Sequence, residues 1–348
     1  MSDATKIEWT DATWNPITGC SVVSPGCTNC YAMRLAGTRM KHHPSRAGLT
    51  QASKAGPVWN GEVRLNEGWL DQPLRWKRPR MIFVCAHGDL FHESVPDDWI
   101  DRVFAVMALS PQHTFQVLTK RAERMREYFA GNGAYLRVLG DGVERELRNA
   151  GIRWHGDNVD RHSQAIAGAT RWPLPNVWLG ISAEDQARAD ERIPYLLATP
   201  AAVRFVSAEP LLGPVDLTQI NRLDWVIAGG ESGPGSRPMH PDWVRSLRDQ
   251  CQAAGTAFFF KQWGDWLVGE TRNGLPIPFQ DGDEFHVISD GHDIILSTAY
   301  DEPSGPSHLW REYYGWQHHL VRRAGKGRAG RSLDGQTWDQ MPARGGDQ

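Results

Sequence analysis

Residues 177–210 read VWLGISAEDQARADERIPYLLATPAAVRFVSAEP. Two apolar runs, 177–181 and 203–207, enclose a helix-like stretch at 184–197, which Ser182 is placed to cap and Asp185 to favour from its first turn. A short apolar run without strict alternation suits a strand covered on both faces. Strand, helix, strand in this order makes a βα unit of a parallel sheet.

The same rhythm extends both ways. Further strand runs stand at 81–86 (MIFVCA), 113–118 (HTFQVL), 225–228 (WVIA) and 257–260 (AFFF). Helices are expected at 96–109, opened by Asp97 and Asp98, at 120–129, and at 241–254, opened by Pro241 or Asp242 and ended by Gly255. A first strand near 13–18 and a helix near 28–40 bring the strand candidates to seven. Nearly every strand ends in small polar residues, such as His87–Asp89, Thr119–Arg121, Glu209 and Gly229–Ser232. Polar groups gathered at strand C-termini build the active face of a barrel, whereas an open sheet concentrates them at one switch point. The expected fold is therefore α/β, a partial (β/α) TIM-like barrel of mostly parallel strands over 1–264. A polar, Gly-rich insertion at 131–175, with helix near 143–150, interrupts it. A C-terminal extension at 265–348 carries β-like pieces at 286–289 and 293–296 and a basic tail.

The chain has 348 residues, 40% hydrophobic and 23% charged, as in a soluble globular protein. Its net charge of −3 gives no global basic field, although a local basic groove can hide in a neutral total. No apolar stretch is long enough to span a bilayer, and the N-terminus lacks the basic and apolar regions of a secretory signal, so a cytoplasmic protein without membrane contact is expected. Of five cysteines, three crowd into residues 20–30. Clustered thiols in a reducing compartment serve as metal ligands more often than as disulfides.

Cys20, Cys27 and Cys30 form a C-x6-C-x2-C pattern in the loop after the first strand, turned by Pro25 and Gly26. Three thiolates leave a tetrahedral zinc site incomplete. They suit a [4Fe–4S] cluster whose fourth iron stays open, and an open position marks a chemical role. The competing reading is a zinc knuckle completed by His42 or His43. Cys85, in a strand run, and Cys251, on a helix, read as buried core thiols; for Cys85 a hydrogen-donor role beside the cluster is the alternative.

A cysteine triplet after the first strand of a (β/α) barrel resembles the radical-SAM superfamily, with a longer first gap than that superfamily's usual C-x3-C-x2-C. A closer likeness is to a phage- and prophage-associated three-cysteine family of unknown function, itself a radical-SAM relative. It rests on Ile7-Glu8-Trp9-Thr10, Trp14-Asn15-Pro16, Gly88-Asp89-Leu90-Phe91-His92, Leu118-Thr119-Lys120-Arg121, Ser207-Ala208-Glu209-Pro210-Leu211, Gly229-Gly230-Glu231-Ser232-Gly233 and Lys261-Gln262-Trp263-Gly264. The resemblance implies that the open iron chelates S-adenosylmethionine, whose reductive cleavage yields a 5′-deoxyadenosyl radical, with electrons from flavodoxin or ferredoxin. It also implies that Gly88 and Asp89 contact the methionyl ammonium, that Ser182 and Glu184 contact ribose or carboxylate, and that Lys120 and Arg121 hold the carboxylate or an anionic substrate. The plainer alternatives are helix caps for Asp89 and Ser182 and an exposed turn for the two cations.

Glu209 ends an apolar strand, where a carboxylate is costly to bury unless paired, and Lys261 is a partner across the barrel mouth. Glu231 lies in GGESG, which lacks both the P-loop lysine and the dinucleotide-binding spacing. Glu209, Glu231 and Lys261 are the catalytic candidates, acting on a substrate read as a nucleobase or nucleic acid. Lys326, Arg328 and Arg331 in the tail are candidate phosphate contacts. A zinc-binding interaction module is the alternative function. A metal-dependent hydrolase lacks any supporting H-x-H or H-E-x-x-H motif.

Overall fold

The computed structural model describes residues 5–150, 172–217, 220–268 and 319–342, with the strand segments Thr271–Arg272, Leu275–Pro276, Phe285–Ile288 and Ile294–Ser297. Seven strands stand side by side in chain order: β1 (Ala12–Trp14), β2 (Met81–Val84), β3 (Thr114–Thr119), β4 (Val177–Ser182), β5 (Val203–Ala208), β6 (Trp225–Gly229) and β7 (Ala257–Gln262). Every neighbouring pair is parallel. Because the order never reverses, the sheet has no switch point of the open doubly wound kind. It is a mixed α/β fold with a seven-stranded parallel half-barrel sheet.

The strand runs are mostly apolar because both faces are covered, with Gln116 and Arg204 among the exceptions, and the two-residue period sorts the apolar side chains into two clusters. Val177, Leu179 and Ile181 of β4, Val206 of β5, Val226 of β6 and Phe258 and Phe260 of β7 face the helical layer. Trp178, Phe205, Trp225, Ile227 and Phe259 face the other way, where Trp9 joins them. Trp225 is the hub of this aromatic floor, edge-on to Trp9 at 6.1 Å, Trp178 at 5.9 Å and Phe259 at 6.0 Å. The segment carrying Trp9 is tied to the sheet by Gln116 Nε2, which donates to the Trp9 carbonyl at 3.2 Å, and by the Met81 N–H, which donates to Asp11 at 2.8 Å.

The outer layer holds α2 (Asp97–Ala108), α3 (Ala122–Tyr128), α4 (Gln186–Ala198) and α5 (Pro241–Ala254), preceded in the chain by α1 (Tyr31–Gly37). Helix α1 is shorter than the expected 28–40, because Pro25–Cys27 forms its own 3-10 turn and the helix begins only after Cys30. Asp185, not Ser182, caps α4, accepting the Arg188 N–H at 2.8 Å. The first strand candidate divides: Ala12–Trp14 joins the sheet, while Ile17–Thr18 pairs antiparallel with Arg64–Leu65. Within the 131–175 insertion a helix stands at Val143–Asn149, and 151–171 lie outside the described residues.

In the C-terminal part, Trp266–Val268, Phe285–Ile288, Ile294–Ser297 and His319–Arg323 form a four-stranded antiparallel sheet. The chain then returns to the half-barrel. Asp339 bridges Phe259, the Phe260 N–H donates to the Trp338 carbonyl at 2.9 Å, and Leu333 is fully buried. An edge strand exposes a row of unpaired N–H and C=O groups, and this tail covers the edge of β7. Two of the three candidate phosphate-contacting cations of the tail are already paired within the chain. Lys326 pairs with Glu8 at 3.0 Å, and Arg331 pairs with Asp339 while lying over Phe259.

Candidate active site

At the C-terminal ends of the strands a cavity of about 290 Å³ opens above the aromatic floor. Cys20, Cys27 and Cys30 line it together, and so do Gly88, Asp89, Lys120, Ser182, Glu209, Glu231 and Lys261. Glu184 stands outside this lining, as do the candidate zinc ligands His42 and His43 and the tail cations Lys326, Arg328 and Arg331. Ile7, Trp9, Phe83 and Leu118 supply its apolar base.

Three charged clamps hold the cysteine loop. In the first, Glu184 is wholly buried, accepts the Gly26 N–H at 3.1 Å and pairs with Arg192 Nη1 at 3.1 Å, the arginine being 2% exposed. Burial pushes its carboxyl up, but Lys120, Ser24, Arg192 and the Gly26 N–H together outweigh that and hold it below the usual range. In the second, Glu231 accepts from Asn29 Nδ2 at 2.9 Å and from Arg237 Nε at 2.9 Å and Nη2 at 2.6 Å. Arg237 also donates to the Pro25 carbonyl at 3.1 Å, and Asn29 to the Gly235 carbonyl at 2.8 Å, which ties the loop to the strand-end GGESG turn. Burial opposes ionisation of Glu231, while the Arg237 and Asn29 bonds prevail and lower its pKa.

The third clamp is Arg121, whose side chain is 4% exposed. It donates to Cys20 Sγ at 3.3 Å, to Asp89 Oδ2 at 3.1 Å and to the Ser21 carbonyl and hydroxyl at 3.1 and 2.7 Å. Asp89 also accepts from the Phe91 N–H, Thr119 Oγ1 and the Lys120 N–H, so four donors occupy its two oxygens. Burial pushes the Cys20 thiol up to about 12, with Asp89 adding to the shift and Arg121 opposing it. A bound metal reverses that balance by taking the thiolate directly.

The opposite wall is less tightly held. Glu209 lies just beyond β5 and pairs with Lys261 Nζ at 3.1 Å, with side chains 13% and 19% exposed. Register slips between Ala228 and Gly229, so Gly229 faces Gln262 and Lys261 is left as the extra residue. A bulge of this kind re-aims a side chain, here onto Glu209. Gly229 is required beside it, since a Cβ there would stand 2.6 Å from Glu209 Oε1. Ser182 and Ser207 are register partners at the ends of β4 and β5, and Ser207 Oγ approaches Glu209 at 3.4 Å. Lys120 and Ser182 line the same cavity, Lys120 close enough to Glu184 to act on its carboxyl.

Cys85 lines the cavity from the end of β2 with a left-handed backbone (φ 56°), and burial pushes its thiol up to about 12. Cys251 is fully buried in the core on α5. His43, a candidate fourth zinc ligand, has Nδ1 bonded to Ser45 Oγ at 2.7 Å, while His42 is exposed. His240 caps α5, accepting the Asp242 N–H, and His92 Nε2 meets Ser21 Oγ at 3.0 Å. Burial and the nearby Arg46 push His87 down to about 4. The partners Arg192, Arg237 and Asn29 carry no motif of their own. Their only signal in the sequence is that buried carboxylates such as Glu184 and Glu231 require donors.

No curated protein matches this chain, and no solved structure does. A family model described as "Protein of unknown function (DUF5131)" matches residues 4–342, and the chain belongs to that family.

Proposed function

We propose that this chain is a radical S-adenosylmethionine-type enzyme on a partial TIM-like barrel, with Cys20, Cys27 and Cys30 holding a [4Fe–4S] cluster. The observation that carries the reading is that the three cysteines line one strand-end cavity together with Lys120, Ser182 and the Glu209–Lys261 pair. Among the described residues no three His, Cys, Asp or Glu side chains are grouped to hold a metal ion, which favours neither a cluster nor a zinc site. The kinship with radical-SAM enzymes and with the phage-associated three-cysteine family belongs to this proposal.

When bound, the cluster supplies an electron, received from a donor such as flavodoxin or ferredoxin, for cleavage of the S-adenosylmethionine sulfonium. The chain's residues then divide the work. Glu184, Glu231 and Arg121 fix the cysteine loop. Asp89, saturated by its four donors, holds the Gly88 turn and the start of the Lys120 segment in place. Lys120 offers a cation to the methionyl carboxylate and Ser182 a hydroxyl to the ribose. Lys261 and Glu209 face the substrate as a donor–acceptor pair able to move a proton at Glu209 Oε1.

Anaerobic reconstitution tests this directly. The expected result is about four irons per chain, broad visible absorbance, and cleavage of S-adenosylmethionine on reduction. Cys20→Ala, Cys27→Ala and Cys30→Ala are each expected to lose the iron, and Cys85→Ala to keep it. A colourless protein with one bound zinc sinks the reading.

A further inference from the structure

The charge of the chain is unevenly spread. Between Tyr31 and Arg64 stand Arg34, Arg39, Lys41, Arg46, Lys54 and Arg64 against the single acid Glu62, a local charge of +5 in a chain whose total is −3. This segment is one packed unit. Helix α1 and the hairpin Thr50–Ser53/Gly56–Trp59 share a small core of Ala32, Met33, Ala36, Leu49 and Trp59, against which Cys20 and Cys30 pack. Its position is the cavity mouth: Cys30, Tyr31 and Trp59 all line the cavity.

Three of the six cations are held by the fold and three are not. Arg64 bonds the Pro44 and Ala47 carbonyls, Arg46 bonds Ser45, and Arg34 donates to the Pro234 carbonyl. Arg39, Lys41 and Lys54 are exposed and, among the described residues, make no ion pair. The same unit exposes Tyr31 at 56%, and the cysteine loop before it exposes Val22 at 47% and Val23 at 39%. Free cations together with exposed aromatic and aliphatic side chains supply the two parts that single-stranded nucleic acid binding uses, phosphates on the cations and bases on the apolar faces. A duplex lacks free base faces to offer. The cavity beyond Tyr31 has Trp9 and Phe83 in its lining, apolar rings on which a base turned out of a stack can rest.

We infer that α1 and its hairpin form a landing surface for single-stranded nucleic acid, which delivers one nucleotide to the cavity. This names the substrate class of the proposed site, and it rests on that reading only for the chemistry that follows binding. Binding itself needs no cluster.

The test uses the full-length chain without iron, in air, with fluorescently labelled single-stranded DNA, single-stranded RNA and duplex DNA oligonucleotides, monitored by anisotropy over a range of salt. The expected result is preferential binding of one or both single strands. Arg39→Glu/Lys41→Glu/Lys54→Glu is expected to weaken it at least about tenfold and lower the salt slope by about 2. Lys77→Glu/Arg78→Glu, two exposed cations just before β2 at the far end of the strands, is expected to leave binding unchanged. Thermal melting checks that both variants fold. No binding at low salt, equal binding of duplex, equal binding of heparin or anionic lipid vesicles, or a triple variant with unchanged affinity and slope overturns the inference. Binding by a chain that fails to take up iron would uphold the landing surface and reject the radical chemistry alone. Iron uptake without oligonucleotide binding would do the reverse.

Discussion

The two walls of the cavity carry the same residue types to different ends. The carboxylates that hold the cysteine loop, one behind the lining and two in it, are spent on the chain itself: Glu184 on Gly26 and Arg192, Glu231 on Asn29 and Arg237, Asp89 on four donors. On the facing wall Glu209 has one cation and one long hydroxyl contact, and both members of its pair remain partly open. The first wall is built to be held still and the second to be met by another molecule. Strand-end position alone does not distinguish them. What distinguishes them is whether the lone pairs are already occupied.

The largest expected effect breaks the held wall at its most buried point. Glu184→Gln leaves Arg192 charged and unpaired in the interior, and chemical denaturation is expected to show a loss of about 3–5 kcal/mol. A loss below 1 kcal/mol would put Glu184 on the same footing as Glu209. Next comes pH. His87 is held near 4 against an ordinary 6.5, so the folded state refuses a proton that the unfolded chain accepts. Its contribution is complete above about pH 6.5 and is lost as pH falls towards 4, by at most about 3 kcal/mol, less because the ring is partly exposed. The stability difference between wild type and His87→Asn is expected to change across that window, and parallel curves would remove His87 from the account.

Much of this architecture is legible before any coordinates. The runs at 177–181, 203–207 and 225–228 fall inside β4, β5 and β6 because a strand covered on both faces is apolar at most positions, the half-buried Arg204 being an exception. Helix α5 spans 241–254 as expected, since Pro241 and Gly255 punctuate it. The cap of α4 was not legible from spacing alone: Ser182 and Asp185 are both good capping residues, and only the extension of β4 through Ser182 decides between them. The site divides in the same way. Gathering the strand-end residues follows from topology, but the clamps join the cysteine loop to residues 100 or more positions away, and no local pattern announces such a pairing.

Two smaller effects sharpen the contrast. Glu231→Gln keeps the shape of the clamp but faces Arg237 with an amide, at a cost of about 1–2 kcal/mol because Arg237 is partly open to solvent. Iron uptake on reconstitution is expected to fall with it, and full loading would show that the loop holds its position without this clamp. Glu209→Gln is expected to change stability by less than about 1 kcal/mol while substrate turnover is lost and iron content is kept. A large destabilisation there would move Glu209 to the held wall.

The returning tail has a consequence for synthesis. Residues 333–340 occupy the outer flank of β7, and the Gln340 carbonyl takes the indole N–H of Trp225 at the hub of the aromatic floor. A ribosome must therefore deliver the chain through residue 340 before this flank can be sealed. Until then a nascent chain presents β7 as an open template, and messages truncated before codon 333 would yield a product prone to pairing with its own copies.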